Sequence, residues 1–218
     1  MPAQLRSPRG ALPGYVWDER MRGGRYRVLT PDGKLGRLVS QKDVASDVRT
    51  LHDASANRFA AMARDAQAGT ITPADFQRAM MSETKDLHNA SAALAHGGWE
   101  GMDQAAWGRN GQILRDEYKY LAGFAQDLAD GKLTAAQADA RARLYAGKAY
   151  SRFYAERART TAGQFAEERW QDTGDSKECP DCQRLAQMGW VPVGMLGTVP
   201  GAGDTVCGGA CRCVIHYR

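Results

Sequence analysis

From residue 40 onward, apolar positions recur at helical spacing and the breaks between the runs are well marked. Ser40 with Asp43 forms a predicted capping box, and Val44, Val48, Leu51, Phe59 and Met62 make a stripe that ends near Gly69. Thr72 is placed to cap a second helix, with Pro73 at its first position, where a missing N–H costs nothing. Phe76, Met80, Leu87 and Leu94 supply its buried face until Gly97-Gly98. A third helix is predicted from about 103 to 130, with Trp107, Leu114, Tyr118, Leu121 and Leu128 inward and Gly131 as terminator. Thr134 with Gln137 repeats the capping box and opens a fourth, predicted to run through Tyr145, Ala149, Phe153, Phe165 and Trp170.

Gly69-Thr-Ile-Thr-Pro-Ala and Gly131-Lys-Leu-Thr-Ala-Ala share one turn pattern, so the helices read as two helical hairpins. Ahead of them, two short alternating segments (26–30 and 34–39) flank Pro31-Asp32-Gly33. Pro presets φ and Gly tolerates positive φ there, which predicts a β-hairpin. Residues 1–24 are rich in Pro, Gly and Arg without periodicity and read as an extended or poorly ordered arm. After Trp170 the pattern changes to Gly, Pro and Cys with one short helical stretch, 183–188. The predicted class is mainly α: a helical-hairpin bundle with a small N-terminal β-hairpin and a C-terminal Cys-rich, zinc-ribbon-like module. The predicted segments are a basic arm with hairpin (1–39), a helical domain (40–171) and the Cys-rich module (172–218).

Charge changes the picture only at one end. Residues 1–39 carry eight Lys/Arg against three acids, and the rest carries 21 against 22. Arg20, Arg22, Arg25, Arg27, Lys34 and Arg37 are therefore the candidate nucleic-acid contacts, with DNA or an acidic protein surface as partner. No run approaches the roughly 20 apolar residues of a membrane span, so no membrane partner is expected. The first residues lack the apolar core of a secretory leader, so maturation in a reducing cytoplasm is expected.

All five cysteines lie in the last forty residues, as Cys179-Pro-Asp-Cys182 and Cys207-Gly-Gly-Ala-Cys211-Arg-Cys213. Two close-spaced groups separated by a loop of 24 residues can place thiolates face to face, the construction of a tetrahedral zinc site. Four of Cys179, Cys182, Cys207, Cys211 and Cys213 are expected to bind Zn²⁺. Cys179 and Cys182 are expected among them, and His216 is a possible substitute ligand. A filled four-sulfur site leaves no position for water, so the zinc would be structural. Two rivals are a thiol–disulfide oxidoreductase, in which a helix N-terminus activates the first Cys of Cys-x-x-Cys, and a disulfide-linked tail. No phosphate loop or nucleophile elbow is present. His52, His88 and His96 fall on helices that look structural, and Glu167-Glu168 reads as a solvated helical pair. The expectation is a non-enzyme.

Cys179-x2-Cys182, Leu185-Ala186, the segment Gly189-Trp-Val-Pro192 and the closing Cys211-Arg-Cys213-Val-Ile together resemble the C-terminal signature of Mu-type phage minor head proteins, the phage head morphogenesis family. That signature ends in His-Pro-x-Cys-Arg-Cys. Here no His-Pro precedes Cys211, and Cys207 stands nearby, which changes the ligand set but keeps a ligand. The likeness covers about 45 residues. It implies a virion component of low copy number, made in the host cytoplasm and placed in the capsid interior or at the portal vertex. Its partners would be the portal and/or the major capsid protein within a multi-copy assembly, with DNA reached through the basic arm. The alternative is a zinc-ribbon-like nucleic-acid-binding protein. The module's own charge argues against it, because Asp175, Glu178, Asp181 and Asp204 outnumber Lys177, Arg184 and Arg212.

Overall fold

The computed structural model describes residues 6–7, 10–11, 15–18, 25–39, 41–98 and 101–218. The expected Ser40 cap lies outside them, as do most of residues 1–24. Two short strands, β1 (Arg6–Ser7) and β2 (Gly10–Ala11), pair with each other. Strands β3 (Tyr15–Asp18), β4 (Arg25–Leu29) and β5 (Leu35–Val39) form an antiparallel meander in the order β3-β4-β5. The β4–β5 hairpin turns at Pro31-Asp32-Gly33, with Gly33 at φ 79° and its N–H bonded to Thr30 O at 2.8 Å. The strand β3 on its outer side was not foreseen.

Four long helices follow: α1 (Gln41–Gln67), α2 (Pro73–Ala95), α3 (Gln104–Ala129) and α4 (Ala135–Thr160). Their starts follow the expected chemistry. Thr72 Oγ1 accepts the Asp75 N–H at 3.1 Å, and Thr134 and Gln137 exchange bonds as a complete capping box. The repeated Gly-x-[Ile/Leu]-Thr is one turn used twice. Gly69 and Gly131 take positive φ, and the next N–H reaches back to the Asp65 or Asp127 carbonyl, at 2.9 and 3.0 Å. Helix α1 packs chiefly on α4, α2 lies against α1, α3 and α4, and α3 meets α4 only lightly. Phe59, Phe76, Met80, Leu87, Leu94, Leu121 and Phe124 are fully buried between the helices. Each contributes roughly 1.5–3 kcal/mol by leaving water.

Two helical expectations need correction. Trp107 is 41% exposed, because α3 turns Ala106 and Asn110 inward instead. Helix α4 ends at Thr160, and Phe165 and Trp170 lie beyond it. Residues Glu167–Gln171 form β6, the central strand of a second antiparallel sheet with β7 (Val191–Pro192) and β8 (Val214–Tyr217). Trp170, fully buried on β6, shares one continuous apolar core with the helices and the cysteines. Among the described residues no helix is long and apolar enough to cross a membrane.

Candidate metal centre

The first cysteine pair is built on a helix start. Cys179 is the N-cap of α5 (Pro180–Gln187), and Pro180 occupies its first position. The Cys179 sulfur accepts the Cys182 N–H at 3.4 Å, so the backbone supports the thiolate from behind. This helix begins three residues before the expected stretch. Asp181, between the two cysteines, accepts the Val206 N–H at 2.9 Å and pins the second group's approach to the first.

The second group approaches on a tight turn. Cys207 precedes a 3₁₀ turn at Gly208–Ala210, and Cys211 to Cys213 lead directly into β8. The turn rests on α4 with no side chain between: a β-carbon on Gly147 would overlap the Gly209 carbonyl group. Arg49 of α1 reaches across to the Arg212 carbonyl and to the Tyr150 hydroxyl, the latter at 2.8 Å. Tyr150 in turn donates to the Cys213 carbonyl at 2.9 Å. Near the cysteines, Arg212 holds Asp175 in a two-pronged pair at 2.5 and 2.7 Å.

The five sulfurs converge as two triads, Cys179–Cys182–Cys207 and Cys182–Cys211–Cys213, each with its sulfurs within 4.8 Å of one another. Cys182 belongs to both, 3.6 Å from the Cys207 sulfur and 3.8 Å from that of Cys211. A zinc ion with bonds of about 2.3 Å sets neighbouring sulfurs roughly 3.8 Å apart, so these spacings suit a thiolate-bound cation. The cluster is capable of holding a metal ion. His216 is in neither triad. Four cysteines are buried and Cys207 is partly so. Burial raises the Cys182 thiol and pushes Cys207 up to about 11. Burial acts the same way on Cys179, but bonds from Cys182 and Cys207 outweigh it and bring that thiol down to about 7. A cation must displace protons from this set, which makes its binding pH-dependent.

Arg20 and Arg22 lie outside the described residues, and Arg25 sits on β4. Arg27 bonds the Gly36 carbonyl at 2.9 Å, and Lys34 pairs with Asp32 at 2.9 Å. Arg27 is opposite Leu38, so strand alternation puts Arg37 on the other face of the hairpin.

The acidic pair Glu167-Glu168 is on a strand, not a helix, and Glu168 is not solvated. It is 4% exposed, and one of its oxygens accepts the N–H groups of Gly194 and Leu196 at 2.8 and 3.1 Å. Sequence reading missed Glu156 altogether. This fully buried carboxylate on α4 receives Arg109, Arg152 and Arg159 and accepts from His96 Nε2 at 2.7 Å. The spacing of Arg152, Glu156 and Arg159 along one helix face was the available signal. His52 and His88 are buried in the bundle core, His52 against Ser91 at 2.8 Å.

No protein-family model, curated protein or solved structure matches this chain.

Proposed function

We propose that this chain is a structural, non-enzymatic component of a phage head, acting in capsid assembly near the portal, whose C-terminal module is stiffened by a thiolate-bound zinc ion. The observation that carries the structural part is the convergence of the other four sulfurs on that of Cys182, in a cluster locked to the helical bundle through Arg49, Tyr150 and Gly147. A centre clamped this way on two helices and a sheet supplies rigidity. Three sulfurs beyond the Cys-x-x-Cys pair favour a metal over thiol–disulfide exchange, despite the helix start behind Cys179. The virion assignment rests on the resemblance of Cys179-x2-Cys182 and Cys211-Arg-Cys213 to the phage head morphogenesis signature. DNA contact through the basic arm belongs to the same reading. The pairing of Arg212 with Asp175 and of Arg184 with Asp181 weakens the nucleic-acid-reading ribbon as an alternative. Mass spectrometry of purified particles tests the proposal: the chain is expected at a few copies relative to the major capsid protein, and its complete absence overturns a virion role.

A further inference from the structure

The two sulfur triads overlap in one residue, and that overlap ranks the cysteines in a way their spacing along the chain does not. Among the described residues, no four sulfurs all lie within 4.8 Å of one another, and the two triads that do share only Cys182. Remove Cys179, Cys207, Cys211 or Cys213 in thought, and one triad survives intact with a fourth thiol beside it. Remove Cys182, and no three of the remaining sulfurs keep that spacing.

We infer that Cys182 is the obligatory ligand of a single-ion site whose other three positions are filled from four interchangeable thiols. This rests on the metal reading proposed above and deepens it. A tetrahedral cation takes four sulfurs and five are present, so one thiol stands unbound next to the ion in every arrangement. Exchange is then local. The incoming thiol gives up its proton as it bonds the cation, and the departing thiolate takes one as its bond breaks; no electron moves. The protein favours this because the two flanks are held separately. Cys179 and Cys207 are tied together by Asp181 and the Val206 N–H, whereas Cys211 and Cys213 are set by the entry to β8 and by the Tyr150 and Arg49 bonds to the backbone. Cys182, in the first turn of α5, stands between them, 3.6 and 3.8 Å from one sulfur of each flank.

The ranking differs from the ordinary expectation for a Cys-x-x-Cys knuckle, in which both cysteines are equally required. Here Cys179 is dispensable and Cys182 is not. The test is zinc content per chain, measured by native mass spectrometry on the full chain purified under reducing conditions. The set is wild type and the five variants Cys179→Ser, Cys182→Ser, Cys207→Ser, Cys211→Ser and Cys213→Ser. One ion per chain is expected for wild type and for four of the variants, with loss of the ion in Cys182→Ser alone. Loss in any of the other four overturns the inference, as does retention in Cys182→Ser; the four retaining variants carry the test even if Cys182→Ser fails to fold. Two ions in wild type overturn the single-ion site and leave the metal reading standing, whereas none in wild type overturns both.

Discussion

Gly147 in the middle of α4 and Gly209 in the 3₁₀ turn touch backbone to backbone, and Gly201 closes on the same helix turn, where a β-carbon would come 2.7 Å from the Gly147 carbonyl oxygen. Helix interiors disfavour glycine by about 1 kcal/mol relative to alanine. Its presence here is explained by the approach of the cysteine-bearing turn.

The substitution Gly147→Ala therefore has a sign that decides the matter. Helix propensity alone would raise stability, whereas overlap with Gly209 is expected to lower it by roughly 1–3 kcal/mol. Gly111→Ala on α3, where a β-carbon meets nothing within 4 Å, serves as the control and is expected to stabilise by about 0.4–1 kcal/mol. Thermal melting of the two variants reads both signs, and a higher Tm for Gly147→Ala would refute the close docking.

Chelation is expected to loosen the C-terminal sheet while the helices persist. Binding of a cation that the unfolded chain does not hold adds its free energy to folding. Hydrogen exchange before and after a strong chelator should show faster exchange across 171–218 and little change at Leu87 or Leu121. Equal protection in both conditions would mean that no ion supports the fold.

Acid should destabilise the bundle from inside. Burial, aided by the charges of His88 and Arg49, lowers His52 to about 3, and burial with Arg152 nearby lowers His88 to about 3. Unfolded histidine takes up a proton below its ordinary value of 6.5, whereas these two stay neutral in the fold. Stability is therefore full above about pH 6.5 and declines as pH falls toward 3, by up to about 1.4 kcal/mol per pH unit for each histidine. Chemical denaturation between pH 7 and 4 measures the slope, and His88→Leu should make it shallower. An unchanged slope in that variant would show that His88 does not contribute.

Arg109, Arg152 and Arg159 all pair with the Glu156 carboxylate, in a cluster that His96 joins. Burial works against its charge, but the bonds from His96 and Arg109 and the charge of Arg152 prevail and hold it well below the usual carboxylate range. Glu156→Gln leaves the buried Arg152 guanidinium without its paired carboxylate and is expected to cost about 3–5 kcal/mol, because Arg152 is only 4% exposed. A loss below about 1 kcal/mol in urea denaturation would place the cluster among ordinary surface pairs.

What could be read from the residues was local. Thr72, Thr134 and the Pro31-Asp32-Gly33 turn act on their own neighbours, and each sits where short-range chemistry puts it. The sulfurs were also visible, since their clustering along the chain survives folding. Strand β6 was not. Phe165 and Trp170 extend the α4 pattern closely enough to mimic it, and the strand exists because it pairs with Val214–Tyr217, far away in sequence. The one local hint was Gly163, at φ 78° just past the helix end. Trp107 misled because aromatic size suggests burial, while α3 is turned by the contact of Asn110 with Asn89. That Cys182 is shared by both sulfur triads was illegible, because it depends on which sulfurs meet in space.

The pairing of β6 with β8 also sets how load enters the molecule. Arg218 and Glu167 sit at the same end of the ladder, where the Arg218 N–H donates to the Glu167 carbonyl and the Arg218 carbonyl accepts from the Ala166 N–H, each at 3.0 Å. Tension applied at Arg218 against the bundle would peel these rungs one after another, from Glu167 toward Gln171, before any strain reached sulfur. The ladder thus stands in series between Arg218 and Cys213, so its rungs take such a load ahead of the cysteine cluster.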